Sequence, residues 1–139
     1  MDSLQHISRK GKSYIKQLLQ VAMADGHLDA HEINNLMQIA KRMDITEEEV
    51  QDIRNNMDKV PFTPPKGTKD TFRLLFDLVW MMMIDGNVIG NEMRVCQSLA
   101  MQMGFAPETI TDLAGFIRQH IAKGVPAEEI YQKLEQMLT

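Results

Sequence analysis

Apolar residues recur along this chain at the three- and four-residue spacing that places them on one side of an α-helix. The first such stripe lies between residues 13 and 24 and consists of Tyr14, Ile15, Leu18, Leu19, Ala22 and Met23. The opposite, polar side of this helix carries Lys12, Lys16, Gln17 and Gln20. No stretch of four or more residues alternates strictly between apolar and polar side chains, so no strand is expected. The pattern predicts an all-α fold.

Start and stop signals divide the chain into about seven helices. Asp29 with Glu32 and Thr46 with Glu49 have the spacing of a capping box and predict helix starts. The Asp-Gly pairs at residues 25–26 and 85–86, here called the Asp-Gly loops, predict helix ends. Three prolines within residues 60–67 indicate a loop. The predicted helices span residues 13–24, 29–43, 46–58, 69–84, 90–103 and 107–124, with a last helix opened by Pro126.

The sequence also aligns with itself at an offset of 60 residues, without a gap. Residues 15–53 then match residues 75–113. The identical pairs are Leu18/Leu78, Met23/Met83, Asp25/Asp85, Gly26/Gly86, Glu32/Glu92, Ala40/Ala100, Met43/Met103, Glu48/Glu108 and Asp52/Asp112. We therefore predict two three-helix repeats related by an approximate two-fold axis, closed by a C-terminal helix, in one domain that spans residues 1–139.

Composition excludes several classes of function. The 139 residues carry a formal net charge of −4 and lack a concentrated basic face, which argues against nucleic-acid binding. The longest apolar run covers residues 78–84, far short of the ~20 residues that span a bilayer, so no membrane insertion is expected. The single cysteine, Cys96, cannot form an internal disulfide, and residues 1–6 lack the layout of a signal peptide. Both observations favour the cytoplasm.

The matched core residues need only packing to explain them, whereas Asp25 and Glu32, expected to be solvent-exposed, gain nothing from packing. Ala24-Asp25-Gly26 with Glu32, followed by Ala40 and Met43-Asp44-Ile45, resembles the tellurite-resistance TerB-like family (TerB and the DnaJ-like membrane chaperone N-terminal-type helical domain). A second copy, in which Ile84 replaces the alanine, is Ile84-Asp85-Gly86 with Glu92. The resemblance implies a compact bacterial seven-helix module that is linked to stress and tellurite resistance. It also implies an acidic surface suspected of binding metal and no established enzymatic activity.

The acidic residues of the two Asp-Gly loops and the helix starts after them are the candidate metal ligands: Asp25, Asp29, Glu32, Asp85 and Glu92. The interval from Gly26 to Glu32 also occurs in EF-hand calcium loops, but two EF-hand ligand positions would fall on Val21 and Met23, which cannot bind a hard cation. A full EF-hand is therefore excluded. The alternative interpretation is that Asp25 binds loop amides while Asp29 and Glu32 only cap a helix. No certain cofactor is implied; a divalent cation is the candidate.

Catalytic chemistry finds little support in the sequence. His27 and His31 are absent from the second repeat and are interpreted as solvated surface residues. Cys96 falls in an apolar helix position and is interpreted as a buried structural thiol. No glycine-rich phosphate loop or nucleophile motif is present, so we predict that the protein is not an enzyme.

The second repeat has Phe76 and Trp80 where the first has Lys16 and Gln20, so its first helix is apolar nearly all round. Either the C-terminal helix or another chain must cover this pair; we favour the C-terminal helix. The leading hypothesis is a non-enzymatic TerB-like module, monomeric or homodimeric, that acts through protein contacts and binds a divalent cation at the Asp-Gly loops. The alternative is a metal-free structural adaptor that engages a partner helix through a Met/Trp surface including Phe76 and Trp80.

Overall fold

The computed structural model describes residues 9–24, 26, 28–65, 67–83 and 90–138. This part of the chain contains seven α-helices, a 3₁₀ turn at Met57–Lys59 and no strand, which confirms the all-α prediction. The helices are α1 (Arg9–Ala22), α2 (Ala30–Arg42), α3 (Glu47–Asn55), α4 (Thr68–Met83), α5 (Gly90–Gln102), α6 (Pro107–Ala122) and α7 (Ala127–Leu138). None of them is both long enough and apolar enough to cross a membrane.

Local signals explain where most of these helices begin and end. Both predicted capping boxes are present: Thr46 Oγ1 accepts from the Glu49 N–H, and Glu49 Oε1 accepts from the Thr46 N–H at 2.8 Å. Two predicted bounds are wrong, since α1 begins at Arg9 and α3 ends at Asn55. The Asn56 side chain donates to the Asp52 carbonyl at 2.8 Å, so it satisfies a backbone acceptor in the last turn of α3 where the helix stops.

Helix α4 lies at the centre of the bundle. It packs against α1, α2, α5, α6 and α7, which is why a helix that is apolar nearly all round is stable in this position. The three consecutive methionines, residues 81–83, are all buried in the core. Because all three are buried, we interpret them as core residues.

Helix α1 is surrounded almost as fully, because α2, α3, α4 and α5 all pack on it. Gln17, which the sequence places on the polar side of α1, is therefore only 2% exposed. Its counterpart 60 residues on, Asp77, is also buried. The interpretation of Gln17 as a residue on the side of α1 opposite its packed face is therefore wrong.

The helices of the two sequence repeats have matching bounds. Adding 60 to the limits of α2 gives the limits of α5, and α3 and α6 begin 60 residues apart. The turns after α2 and α5 also match: Ile45 N–H donates to the Ala40 carbonyl at 2.8 Å, and Phe105 N–H donates to the Ala100 carbonyl at 2.9 Å. The two-fold axis itself remains a prediction.

Candidate functional site

The Asp29–Glu32 pair forms the predicted capping box at the start of α2. The Glu32 N–H donates to Asp29 Oδ1 at 2.8 Å, and the Asp29 N–H donates to Glu32 Oε1 at 3.2 Å. Contrary to the expectation of a solvent-exposed acid, Glu32 is 1% exposed. The cap folds the Glu32 side chain back over the helix start, away from solvent. The structure therefore contains both hydrogen bonds that the capping interpretation of Asp29 and Glu32 requires.

Glu92 occupies the same place in the second repeat, in the first turn of α5, and it is also 1% exposed. Position 29 of the first repeat corresponds to Ile89 in the second. Asp25 and Asp85 lie outside the described residues, as does Ile89. Within the described ranges, no three His, Cys, Asp or Glu side chains come together in a group that could hold a metal ion. Binding of a cation by the five predicted ligands remains a prediction.

The candidate catalytic groups have ordinary structural environments. Cys96 is fully buried, its thiol lies 3.6 Å from the Leu78 carbonyl, and burial raises its pKa. The neutral thiol is therefore stabilised, and Cys96 is a poor nucleophile. His31 is exposed, whereas His27 lies outside the described residues.

A polar cluster around the buried side chain of Asp77, not identified from the sequence, joins α1, α2 and α4. We define it as Tyr14, Arg42, Arg73 and Asp77. The Tyr14 hydroxyl donates to Asp77 Oδ2, and Arg42 Nη2 donates to the same oxygen at 2.7 Å. Arg73 Nε lies 3.5 Å from Asp77 Oδ1. Burial, together with the Asp77 charge, raises the pKa of Tyr14, so its hydroxyl remains a proton donor.

A cleft of about 490 Å³ opens beside this cluster, between the N-terminal ends of α1 and α4 and the C-terminal end of α2. Its lining includes Lys10, Asp44 and Asp70 in addition to three members of the polar cluster. The Asp77 carboxylate contacts two arginines and the Tyr14 hydroxyl, and these contacts explain its burial. The arrangement cross-links three helices and contains no activated nucleophile.

One sequence signal could have revealed the polar cluster. Asp77 is an acidic residue within the otherwise apolar stretch from Leu74 to Met83, and Arg73 precedes it by one helical turn. A buried charge in such a position requires charged or hydrogen-bonding partners. The distant partners Tyr14 and Arg42 carry no comparable signal, because each is compatible with a half-exposed helix position.

Phe76 and Trp80 have different environments. Phe76 is 1% exposed and stacks on Trp80 with ring centroids 6.1 Å apart. On its other side, Phe76 meets the ring of Tyr131 from α7 edge-on at 5.3 Å. Helix α7 thus covers Phe76, as favoured from the sequence, while Trp80 is half-buried. In this conformation only Trp80 of the pair has substantial surface left for a partner.

A charged contact accompanies the aromatic one. Arg73 donates from Nη1 and Nη2 to the two carboxylate oxygens of Glu128 on α7, at 3.1 and 2.5 Å. Hydrogen bonding to Arg73, together with the positive charge of Arg73, lowers the pKa of Glu128. We call the Arg73–Glu128 pair the α7 clamp.

Comparison with known families bears on the first repeat. Residues 5–55 match the family model described as tellurite resistance protein TerB. The first repeat is TerB-like. The match ends at the last residue of α3, so the TerB-like segment includes the first Asp-Gly loop, Asp29 and Glu32 but not the second repeat. No curated protein and no solved structure matches the chain.

The TerB-like match confirms the resemblance drawn from Ala24-Asp25-Gly26 and Glu32, over a shorter stretch than that resemblance implied. The second copy of the motif, around Asp85 and Glu92, lies beyond the matched residues. The match supports a TerB-like assignment for residues 5–55.

Proposed function

We propose that this protein is a non-enzymatic TerB-like module that binds a divalent cation at its Asp-Gly loops through Asp25, Asp29, Glu32, Asp85 and Glu92. The observation that carries the proposal is the repeated burial of Glu32 and Glu92. Each is 1% exposed, and each lies in the first turn of the helix that follows an Asp-Gly loop. Carboxylate oxygens are the ligands that Ca²⁺ and Mg²⁺ prefer.

The helix starts add an electrostatic reason for acidic side chains here, because the N-terminus of a helix favours negative charge. A cation held between the two loops would fix the relative positions of α2 and α5. This ordering acts as a switch only if the bound and free arrangements differ.

Thermal melting in the presence of Ca²⁺, Mg²⁺, Mn²⁺ or Zn²⁺ tests the proposal. We expect at least one ion to raise the melting temperature in proportion to the logarithm of its concentration, since a ligand of the native state stabilises it by mass action. Asp25→Asn combined with Glu32→Gln should abolish this increase. The comparison must use the metal-dependent change, because Glu32→Gln also weakens the cap of α2.

Asp58→Asn combined with Glu48→Gln is the matched control, since both residues are exposed and the same formal charge is removed. The control should retain the full metal-dependent increase. An unchanged melting temperature at millimolar concentrations of all four ions would exclude the cation and leave Asp29 and Glu32 as caps only.

The metal-free adaptor is the second candidate, and half-buried Trp80 is the observation that favours it. Trp80 lies beside a small cleft between α2 and α7. A partner helix could reach this side chain without opening the core, whereas Phe76 requires α7 to move.

A further inference from the structure

Helix α7 is attached to the rest of the bundle mainly through one helix, α4. Among its side chains at residues 127–137, three are buried, namely Ile130, Tyr131 and Leu134. A short turn at residues 123–126 joins it to α6. A helix with so small an apolar contact lies at the low end of the range of local stabilities within a fold, so we expect it to undock without global unfolding.

The α7 clamp determines how this helix sits on α4. Its two parallel hydrogen bonds require the carboxylate and guanidinium planes to align, which fixes direction as well as position. The Arg73 guanidinium also lies 4.2 Å from the ring centroid of Tyr131, one turn further along α7. Arg73 therefore recognises a carboxylate and an aromatic ring spaced by three residues on one helix face.

The docked helix leaves space unfilled beside Trp80. A cleft of about 160 Å³ lies there, bordered by Ala127 at the start of α7 and by Asn35, Gln38 and Ile39 of α2. Alanine is too small to occupy this space. A larger apolar side chain at this position would cover the part of Trp80 that now faces the water-filled cleft, so we expect it to bind more tightly.

We propose that the α4 face beneath α7 is a helix-docking site, which α7 occupies within the chain and which an amphipathic helix of a partner protein occupies in a complex. That partner helix carries a carboxylate at the position of Glu128, an aromatic residue at that of Tyr131, an aliphatic residue at that of Leu134 and an apolar residue larger than alanine at that of Ala127. This proposal rests on the adaptor alternative and does not depend on cation binding. The docking site and the cation site can therefore each be disproved without the other.

A peptide of residues 125–138 with a fluorescent label, measured by anisotropy against the full chain, tests this docking site. The tethered α7 competes at a high effective concentration, so binding to the wild-type chain is expected to be weak. Glu128→Lys in the chain breaks the clamp of the resident helix while the peptide keeps its own glutamate. We expect this variant to bind the peptide roughly fivefold more tightly or better.

Glu129→Lys in the chain is the matched control. Glu129 is an exposed neighbour of Glu128, and the substitution reverses the same charge without touching the α7 clamp. It should bind the peptide as the wild type does. Equal peptide binding by the Glu128→Lys and Glu129→Lys chains would overturn the proposal.

Charge reversal and cleft filling test the recognition pattern. A chain with Arg73→Glu should prefer the peptide with Glu128→Lys over the native peptide, and a peptide with Ala127→Leu should bind more tightly than the native one. The single tryptophan, Trp80, reports directly on the site: Ala127→Leu within the wild-type chain should shift its emission towards the blue. Loss of the charge preference, or no gain from Ala127→Leu in either measurement, would contradict the proposal even if Glu128→Lys failed to fold.

Discussion

The two repeats cover the same face of their first helix in different ways. On α1, this face carries Ser13 and Lys16, and the irregular segment at residues 60–65 lies over it: Thr63 N–H donates to Ser13 Oγ at 2.8 Å, and Lys16 Nζ donates to the Val60 carbonyl at 2.5 Å. On α4, the matching residues are Arg73 and Phe76, and α7 lies over them.

This difference follows from what each kind of cover requires. An irregular segment brings unsatisfied backbone N–H and C=O groups, so the surface beneath it must supply polar partners. A helix satisfies its own backbone groups and requires an apolar face instead. The exchange of Lys16 for Phe76 therefore changes which structural element can pack at the same place.

The largest expected effect is the loss of Phe76. Phe76→Ala should lower the free energy of unfolding by about 3–5 kcal/mol, because it creates a cavity among Trp80, Tyr131 and the core. Lys16→Ala, at the matching position, should cost about 1 kcal/mol, since it removes one hydrogen bond to a backbone carbonyl. Urea unfolding of both variants measures the difference. Similar decreases in the free energy of unfolding would show that the covered faces of α1 and α4 contribute equally to stability.

A second contrast separates Asp77 from Gln17. Asp77 is held by Tyr14 and two arginines, whereas residues 13, 74 and 102, at the matching positions, are serine, leucine and glutamine. Asp77→Asn should destabilise the protein by about 2–3 kcal/mol, because it removes the charge that compensates two arginines. Chemical denaturation at neutral pH gives this value. A loss under about 0.5 kcal/mol would mean that the arginines are satisfied without Asp77.

The reverse substitution, Gln17→Asp, places a carboxylate at a buried position where Ser13, Leu74 and Gln102 replace the charged and hydroxyl partners of Asp77. Burial should raise the pKa of the new group in the folded state above its unfolded value of about 3.9. Stability is then close to that of the wild type below pH ~4 and falls as the pH rises through the folded pKa. A flat profile of the stability difference between Gln17→Asp and wild type over this range would show that the site is solvated.

The sequence predicted the features that depend on residues near one another in the chain. Capping boxes, the Asp-Gly helix ends and the apolar stripes of α2 and α4 belong to this class, and the structure contains the helices they indicated. The burial of Glu32 and Gln17 was missed, because helix periodicity cannot show how many neighbours surround a helix. The polar cluster was missed for a related reason, since Tyr14 and Asp77 are 63 residues apart.

The smallest effects concern the turns after α2 and α5, which share their hydrogen bonds but differ in one residue. Asp44 and Gly104 occupy matching positions with φ of 60° and 91°. A side chain costs about 1 kcal/mol in this left-handed region, whereas glycine does not. Asp44→Gly should therefore stabilise the protein by about 0.5–1 kcal/mol, and Gly104→Ala should destabilise it by a similar amount.

Gly115, within α6, provides the control for this last comparison. A Cβ atom at either Gly104 or Gly115 would meet nothing within 4 Å, so the two substitutions differ in backbone conformation and not in space. Gly115→Ala should stabilise the protein by up to about 1 kcal/mol, because alanine is the better residue inside a helix. Thermal melting of Gly104→Ala and Gly115→Ala should therefore shift in opposite directions. A shift in the same direction would mean that the turn after α5 tolerates a side chain as readily as the turn after α2.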